Sequence, residues 1–532
     1  MHSLLPFFLI MIVVIILLNM LATKLKVAYP ILLVMAGLGV SIIPGLPVVK
    51  IDPDLIFFIF LPPLLFEASW TISFKEMKKW YRIITSFAFV VVFFTALTVA
   101  LVSNYFIPGF SIVLGLLLGG IVSPPDAVST GAITKFVKIP KSTSTILEGE
   151  SLLNDASSLI IFRFALIAIG TGQFIWTEAL GSFLWMVLGG TLMGIILAWI
   201  FVQIHKRLPT DAPSDIIITL IEPYIMYWIA EKAHSSGVLC VVAGGLYLSK
   251  NRFVFLNSSS RIKGYSVWES FVFILNGVVF LLIGLELPEI VKGIRSTGLS
   301  LEAAIWYGVL VTVTIIATRI LCSYAALIMT LVFRPQVFKM NSMATLSDRK
   351  RQWIMPAILG WTGMRGVVSL AAALSIPVAL HDGSPFPHRD LILFVTFVTI
   401  LLTLVLQGLT LPYFIKKAKL FDEELNREEE NSIHQKIKSE LSKQVSLYIQ
   451  NNYQENIDND HNLKTLFAHV QSKTKVTDDQ WMNEEGKAIY LEIIEFQRKY
   501  LLNLNKQSEI DEEIIRRKLY QFDLEEERLK TI

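Results

Sequence analysis

Thirteen apolar segments recur along the chain, and they restrict its fold more than any other feature. A transmembrane helix needs about 20 mainly apolar residues to cross a bilayer. The segments lie at residues 3–22, 29–47, 54–71, 83–106, 110–134, 143–170, 180–204, 213–232, 236–249, 267–288, 303–333, 353–380 and 390–415. With 53% hydrophobic and only 17% charged residues, a soluble chain would have too few polar residues to cover its surface. The sequence therefore predicts an all-α membrane protein with about 13 transmembrane helices.

Lysine and arginine are distributed unevenly between the connections. One alternating set of connections holds 23 of these residues and the other holds 5. Cytoplasmic connections carry the excess of basic residues, so we expect a multi-pass protein of the cell membrane with its N-terminus outside and its C-terminus in the cytoplasm. Segment 3–22 lacks a basic start and a small-residue cleavage site, so we expect a transmembrane helix there rather than a signal peptide.

The region after the last apolar segment differs in composition. Residues 1–419 hold 31 Lys+Arg and 20 Asp+Glu, whereas residues 420–532 hold 16 and 24. Apolar residues in this acidic region often lie three or four positions apart, which predicts amphipathic helices. We therefore divide the chain into a transmembrane domain, 1–418, and a helical cytoplasmic tail, 419–532, whose partner stays open. The basic charge flanks membrane segments, so the lipid bilayer is an expected partner and nucleic acid is not.

Two predicted spans contain helix-breaking residues. Pro124 and Pro125 remove two backbone N–H donors from the fifth span, and three glycines surround Arg365 at 360–366 in the twelfth. Non-helical backbone at membrane depth is tolerated only where protein or water covers it. The breaks lie seven spans apart, an odd offset, which predicts two inverted repeats. Paired broken helices in such repeats indicate a transporter's binding site near the bilayer midplane.

Polar side chains are concentrated in the sixth span, where Glu150, Ser151, Asn154 and Asp155 follow one another. At 100° per residue, Ser151 and Asp155 share one face of a helix, and Glu150 and Asn154 share the next. An ionised side chain costs about 2.5–3.5 kcal/mol at a bilayer centre, so it needs a partner or a function. Oxygen atoms of this kind suit hard cations such as Na⁺. The alternative is a polar network between helices, which is the better interpretation for Glu150.

Two further carboxylates lie in apolar segments. Asp126 directly follows the proline pair, where it can meet the positive end of a half-helix or simply cap that helix. Glu67 ends an apolar run and lies either at the site or at the membrane interface.

Three arginines also fall within predicted spans. Arg365 is always charged and therefore needs an acid, for which Glu150 or Asp126 would serve. Arg319 and Arg163 are expected to be structural counter-ions rather than ligands.

Three motifs together resemble a known family. S-P-P-D-A-V at 123–128, E-G-E-S-L-L-N-D-A at 148–156 and G-M-R-G at 363–366 resemble the NhaP/NHE-type monovalent cation:proton antiporters, most of all the bacterial branch with a cytoplasmic tail. The resemblance covers essentially residues 1–418. It implies exchange of Na⁺ or Li⁺ for H⁺, with K⁺ as the alternative cation, and a role in pH homeostasis. It also implies a homodimer that needs no cofactor.

The resemblance implies roles for individual residues. Asp155 matches the carboxylate for which cation and proton compete, and Asn154 matches its partner in an Asn-Asp pair that goes with electroneutral exchange. Asp126 matches the carboxylate of the broken helix. Glu67 and Ser151 match further ligands of the bound cation.

Two other positions follow from the resemblance. Glu150 and Arg365 match a structural ion pair that ties the sixth span to the twelfth. At the first break the family often has Thr-Asp-Pro, whereas this chain has Pro125-Asp126-Ala127, so a threonine hydroxyl ligand is missing and the Pro125 carbonyl takes its place. The Na⁺ ligands implied are Asp155, Glu67, Ser151 and the Pro125 carbonyl.

Other classes of membrane protein fit less well. An intramembrane protease would carry two facing aspartates in a G-x-G-D setting or a G-x-S-G nucleophile, and neither string occurs. A channel would carry a repeated filter loop. A sensor stays open because of the tail, although the tail has no soluble-enzyme motif.

Overall fold

Helices make up the chain in the computed structural model, which describes residues 4–41, 57–134, 137, 139–171, 181–296, 298–333, 346–380, 383–418, 423–459, 484–507 and 510–531. The first ten helices are α1 (Leu4–Leu25), α2 (Tyr29–Ser41), α3 (Leu61–Thr71), α4 (Phe74–Thr85), α5 (Val92–Phe106), α6 (Ile112–Val122), α7 (Ala127–Thr134), α8 (Lys141–Thr171), α9 (Gly190–Arg207) and α10 (Ala212–Lys232). The next eight are α11 (Gly237–Phe255), α12 (Ser258–Leu285), α13 (Leu287–Ser296), α14 (Leu301–Phe333), α15 (Leu346–Trp361), α16 (Val367–Leu374), α17 (Arg389–Leu402) and α18 (Gly408–Ala418). The tail adds α19 (Glu423–Asn459), α20 (Glu484–Leu504) and α21 (Glu512–Thr531).

The thirteen predicted spans coincide with these helices. Each falls on one helix, on two helices either side of a break, or on helices joined by a π-helical turn, as where Ser86–Val91 links α4 to α5. Residues 42–56, which hold parts of the second and third predicted spans, lie outside the described residues. Among the described residues, eight continuous helical stretches, some of which join two of these helices, are long and apolar enough to cross a membrane. The prediction of an all-α, multi-span membrane protein is confirmed.

Small residues allow the central helices to approach closely. A Cβ on Gly115 would lie 2.6 Å from the Ala100 Cα, and one on Gly119 would lie 2.7 Å from the Ala96 Cα. Glycines four residues apart on α6 therefore face alanines four residues apart on α5. In a membrane, where lipid is as apolar as leucine, such close backbone packing is a main source of helix association. It fixes α6, and with it the first break.

Both predicted helix breaks are present. α6 ends at Val122 because Pro124 and Pro125 follow it, and α7 begins at Ala127. In the second break, α15 ends at Trp361 and α16 begins at Val367. The two breaks touch, because the backbone N–H of Asp126 donates to the Met364 carbonyl at 2.7 Å. The residues of both breaks are largely buried, so protein covers the non-helical backbone, as membrane depth requires.

A second compact unit contains the tail. It comprises residues 421–532 together with 209–216 and 253–267, two segments that the sequence division at 418/419 placed in the transmembrane domain. Its core is built from apolar residues on one face of each tail helix, as the three-to-four-residue spacing predicted. Those that are most buried include Ile449 in α19, Ile493 and Leu501 in α20, and Ile515 and Leu519 in α21.

A buried charge network holds α21 within this unit. The Nε of Arg261, in segment 253–267, donates to Asp523 at 2.8 Å. From α20, Arg498 donates to Asp523 at 2.9 Å and to Glu526 at 2.7 Å. One carboxylate thus satisfies two arginines from distant parts of the chain, and the tail helices are fixed to segment 253–267 by directional, charge-assisted bonds.

Candidate functional site

The two breaks bound a narrow cavity that holds two carboxylates. It forms where α16 packs against α6 and α8. The lining residues are Pro124, Pro125, Asp126, Asp155, Gly366, Val368 and Ser369. The sequence placed Asp126 and Asp155 in separate spans, and the fold brings them to the same cavity.

Asp126 lies at the start of α7. Its Oδ1 accepts from the Val128 backbone N–H at 3.0 Å, and its Oδ2 accepts from the Ser129 hydroxyl at 2.7 Å. It therefore caps a helix whose positive end attracts a carboxylate, and it also lines the cavity. A Cβ on Gly366 would overlap Asp126 Oδ2, so the absence of a side chain at Gly366 is what lets the second break approach this carboxylate.

Asn154 and Asp155 come from the middle of α8. Asp155 is 7% exposed and lines the cavity. Asn154 is fully buried, and its Nδ2 donates to the Pro125 carbonyl at 3.1 Å. A carbonyl oxygen has two lone pairs, so the Pro125 carbonyl keeps one for another partner. The Asn154 amide thereby fixes the first break against α8.

Glu67 and Ser151 lie further from this centre. Both are half-buried, and among the described residues neither belongs to the set that lines the cavity. Ser151 is one turn before Asp155 on α8, and Glu67 belongs to α3, which packs against α8. Their assignment as cation ligands stays a prediction.

The structure contradicts the expected ion pair between Glu150 and Arg365. Both oxygens of Glu150 are bound by Arg319 of α14, at 2.6 and 2.8 Å. The Glu150 side chain is 0% exposed and that of Arg319 is 2% exposed. The pair therefore ties α8 to α14, rather than the sixth span to the twelfth.

Arg365 instead serves the backbone of the breaks. Its guanidinium donates to the carbonyls of Val122 at 2.7 Å and Ser123 at 3.2 Å, and to the carbonyl of Gly363. Because a helix break leaves carbonyls without intrahelical partners and puts partial negative charge at the end of α6, a guanidinium with five donors satisfies them. Arg365 thus holds the two broken helices together.

Arg163 is peripheral. It pairs with Glu231 at 2.6 Å, and its side chain is 38% exposed. It lies two turns beyond Asp155 on α8 and pairs with Glu231. Arg163 is therefore the counter-ion of Glu231.

Sequence analysis missed Ser369, which lines the cavity from the first turn of α16. The available signal was its position, three residues after Gly366 and inside the second broken span. That position alone does not distinguish Ser369, because serine is common in apolar helices.

Two broken helices that touch at their breaks, with carboxylates beside them, are typical of one class of protein, the secondary transporters that bind their substrate at helix breaks. Comparison with known proteins narrows the class. Residues 9–417 match the family profile described as "Sodium/hydrogen exchanger, transmembrane". The chain belongs to this sodium/hydrogen exchanger family of cation:proton antiporters, and it is a transporter rather than an enzyme.

Individual relatives agree with this assignment. An uncharacterized Na⁺/H⁺ exchanger of Mycobacterium tuberculosis is 27% identical over 519 residues, which are 96% of this chain and 93% of that protein. A sodium, potassium, lithium and rubidium/H⁺ antiporter of Bacillus pumilus is 32% identical over 397 residues, 73% of this chain and 58% of its own length. Among solved structures, the sodium proton antiporter MjNhaP1 of Methanocaldococcus jannaschii superposes with a TM-score of 0.59 at 20% identity, over 78% of this chain and 99% of that one. This likeness confirms the fold with broken helices.

Proposed function

We propose that this chain exchanges Na⁺ or Li⁺ for H⁺ across the membrane, with cation and proton competing for Asp155. The observation that carries the proposal is the position of Asp155, nearly buried and lining the cavity between the two breaks. A carboxylate there holds either a proton or, when ionised, a cation, and it cannot hold both. Competition for one group couples the two fluxes.

The arrangement supports one-for-one exchange. Asp126 has both oxygens engaged as acceptors at the start of α7, a role that suits an ionised carboxylate throughout the cycle. Asn154 is neutral and is bonded to Pro125. Asp155 is then the one group of the three that changes its charge. Replacing one proton by one monovalent cation leaves the net charge of the site unchanged, so transport is electroneutral.

Potassium is the alternative cation. The Bacillus pumilus relative is named for sodium, potassium, lithium and rubidium. The ligands proposed here are neutral and acidic oxygen atoms, which suit all of these ions. Selection among the ions then depends on the size of the site that these atoms enclose.

Location and assembly complete the proposal. The asymmetry of basic residues supports an N-terminus outside the cell and a cytoplasmic tail, 419–532. The family resemblance supports a homodimer. A C-terminal reporter that is active only in the cytoplasm tests the orientation. The mass of the native particle, compared with that of one chain, tests the dimer.

The test is exchange in proteoliposomes, followed by dequenching of a pH-sensitive dye after addition of Na⁺, Li⁺ or K⁺. We expect Asp155→Asn to fold and to lose exchange completely, since an amide cannot alternate between a proton and a cation. Asp211→Asn is the matched control, because Asp211 is exposed and accepts from the Ser214 N–H, and asparagine caps a helix equally well.

The outcomes are distinct. A Na⁺ or Li⁺ response that is lost in Asp155→Asn and is unaffected by an imposed voltage supports the proposal. A response dominated by K⁺ keeps the mechanism and reassigns the cation. Exchange by Asp155→Asn, or the absence of exchange by the wild-type protein with all three cations, contradicts it.

A further inference from the structure

One polar group in the cavity has no role in the exchange described so far. Ser369 is 1% exposed and lines the cavity with Asp126 and Asp155. Among the described residues, its hydroxyl oxygen has no hydrogen-bond partner. Burying a hydroxyl without a partner is unfavourable, and buried polar groups in native proteins are nearly always satisfied. In the part of the chain that the structure describes, Ser103 is unpartnered in the same way, but Ser369 also borders the cavity, and the two observations together indicate a ligand.

The Ser369 hydroxyl does not make the local hydrogen bond that is usual for a serine in a helix. A serine near a helix end usually bonds to a nearby backbone carbonyl. The Gly366 carbonyl, three residues before Ser369, instead accepts from the Leu370 N–H at 3.4 Å, and among the described residues the Ser369 hydroxyl bonds to no carbonyl. The Ser369 hydroxyl is left beside the cavity that holds both carboxylates.

We propose that the Ser369 hydroxyl is a ligand of the transported cation, contributed by the second broken helix. The inference rests on the proposed function, since it concerns the same site. A hydroxyl oxygen is a hard, neutral donor of the kind that monovalent cations accept. It would join the Asp155 carboxylate and the Pro125 carbonyl as ligands, and both of these residues line the cavity.

The proposal also accounts for an unusual feature of the sequence. The first break carries Pro125 before Asp126, where the family often has a threonine. The hydroxyl absent from that position is replaced by one from α16, which lines the same cavity. A bound cation would then contact α8, the first break and α16 together, and so would link both broken helices.

The test compares apparent KM values for Na⁺, Li⁺ and K⁺ in proteoliposomes of the full-length protein. We expect Ser369→Ala to raise the KM for the transported cation about tenfold, the effect of losing one neutral interaction, while exchange at saturating cation persists. Ser369→Thr keeps the hydroxyl and is expected to restore KM to within about threefold of the wild-type value.

Two further variants separate ligation from packing. Ser103→Ala is the matched control, because Ser103 on α5 is also buried, also lacks a hydrogen-bond partner among the described residues, and is absent from the cavity lining. We expect it to leave KM unchanged. Ser369→Cys keeps the side-chain volume but replaces oxygen with sulfur, a poor ligand for hard cations, so we expect it to raise KM as Ser369→Ala does.

The outcomes distinguish this inference from the proposed function. If the wild-type protein exchanges cations and both Ser369→Ala and Ser369→Cys keep its KM for all three ions, this inference alone is overturned. If the wild-type protein exchanges none of them, the proposed function is overturned and this inference with it. Should Ser369→Ala not survive gel filtration as a folded protein, the KM of Ser369→Cys decides.

Discussion

The buried ion pair between Glu150 and Arg319 gives the sharpest prediction about stability. Two bonds of 2.6 and 2.8 Å join the side chains, and the Nε of Arg319 also donates to the Leu359 carbonyl at 3.2 Å. With exposed fractions of 0% and 2%, neither charge has water to replace a lost partner. Removing one partner of a buried pair costs about 3–5 kcal/mol, because it leaves the other charge uncompensated.

The perturbation is a double-mutant cycle. We expect Glu150→Gln and Arg319→Met each to lower the free energy of unfolding by about 3–5 kcal/mol. The double variant has no buried charge left at this site, so we expect it to be close to the wild-type protein. The coupling energy between the two positions is then about 6–10 kcal/mol in magnitude, well above the error of additivity for independent sites.

The assay is unfolding of the purified protein by SDS titration in mixed micelles. Arg163→Met is the matched control, because its pair with Glu231 is much more exposed, at 38% and 29%, and such pairs contribute about 1 kcal/mol or less. Asp155→Asn provides a second comparison, and we expect it to lower the free energy of unfolding by less than Glu150→Ala does.

Two results would refute the reasoning. One is a loss of stability in Arg319→Met no larger than in Arg163→Met. The other is a double variant as unstable as the sum of the two single variants, which would show that the charges act independently and that the pair is not what joins α8 to α14.

Two further predictions concern the break and the tail. Gly366→Ala should lower the rate of exchange at least about tenfold, because its Cβ would overlap Asp126 Oδ2 and displacing a functional group by about 1 Å can cost this much or more. The control in the same dye assay is Gly131→Ala on α7, whose Cβ would meet nothing within 4 Å and which should leave the rate unchanged. In the tail, burial raises the pKa of Glu526, but hydrogen bonds outweigh burial and lower this pKa from 4.5 to about 2, the donors being Lys530, Arg498 and Ser258. A lowered carboxyl pKa gives stability that is complete above the unfolded value and is lost as the pH falls towards the folded one. Hydrogen exchange of α21, corrected for its intrinsic pH dependence, should therefore lose protection between pH about 5 and about 2, and less so in Glu526→Gln; equal losses in both proteins would contradict the assignment.

Much of the transmembrane fold could be predicted because its signals are local. An apolar run of about 20 residues specifies a span by itself, and a proline pair or a glycine cluster specifies a break. Asp126 and Asp155 could also be selected as candidate site residues, since carboxylates are rare in apolar segments.

The features that could not be predicted from the sequence depend on packing between distant helices. Glu150 had several basic residues available to it, and it pairs with Arg319 because α8 packs beside α14, a relation that no spacing along the chain encodes. Arg365 was expected to need an acid, but the carbonyls freed by two breaks proved sufficient. Ser369 stands out only when its burial and its unsatisfied hydroxyl are known.

The contact between Arg261 and Asp523 has a consequence for how the protein is made. The two residues are 262 positions apart. At a synthesis rate of about 5–20 residues per second, roughly 13–50 s pass between the translation of one and the other. During that interval segment 253–267 carries a guanidinium whose carboxylate does not yet exist. Helix α21 therefore supplies a buried partner to a segment translated long before it, and translation that stops before α21 leaves Arg261 without the Asp523 carboxylate.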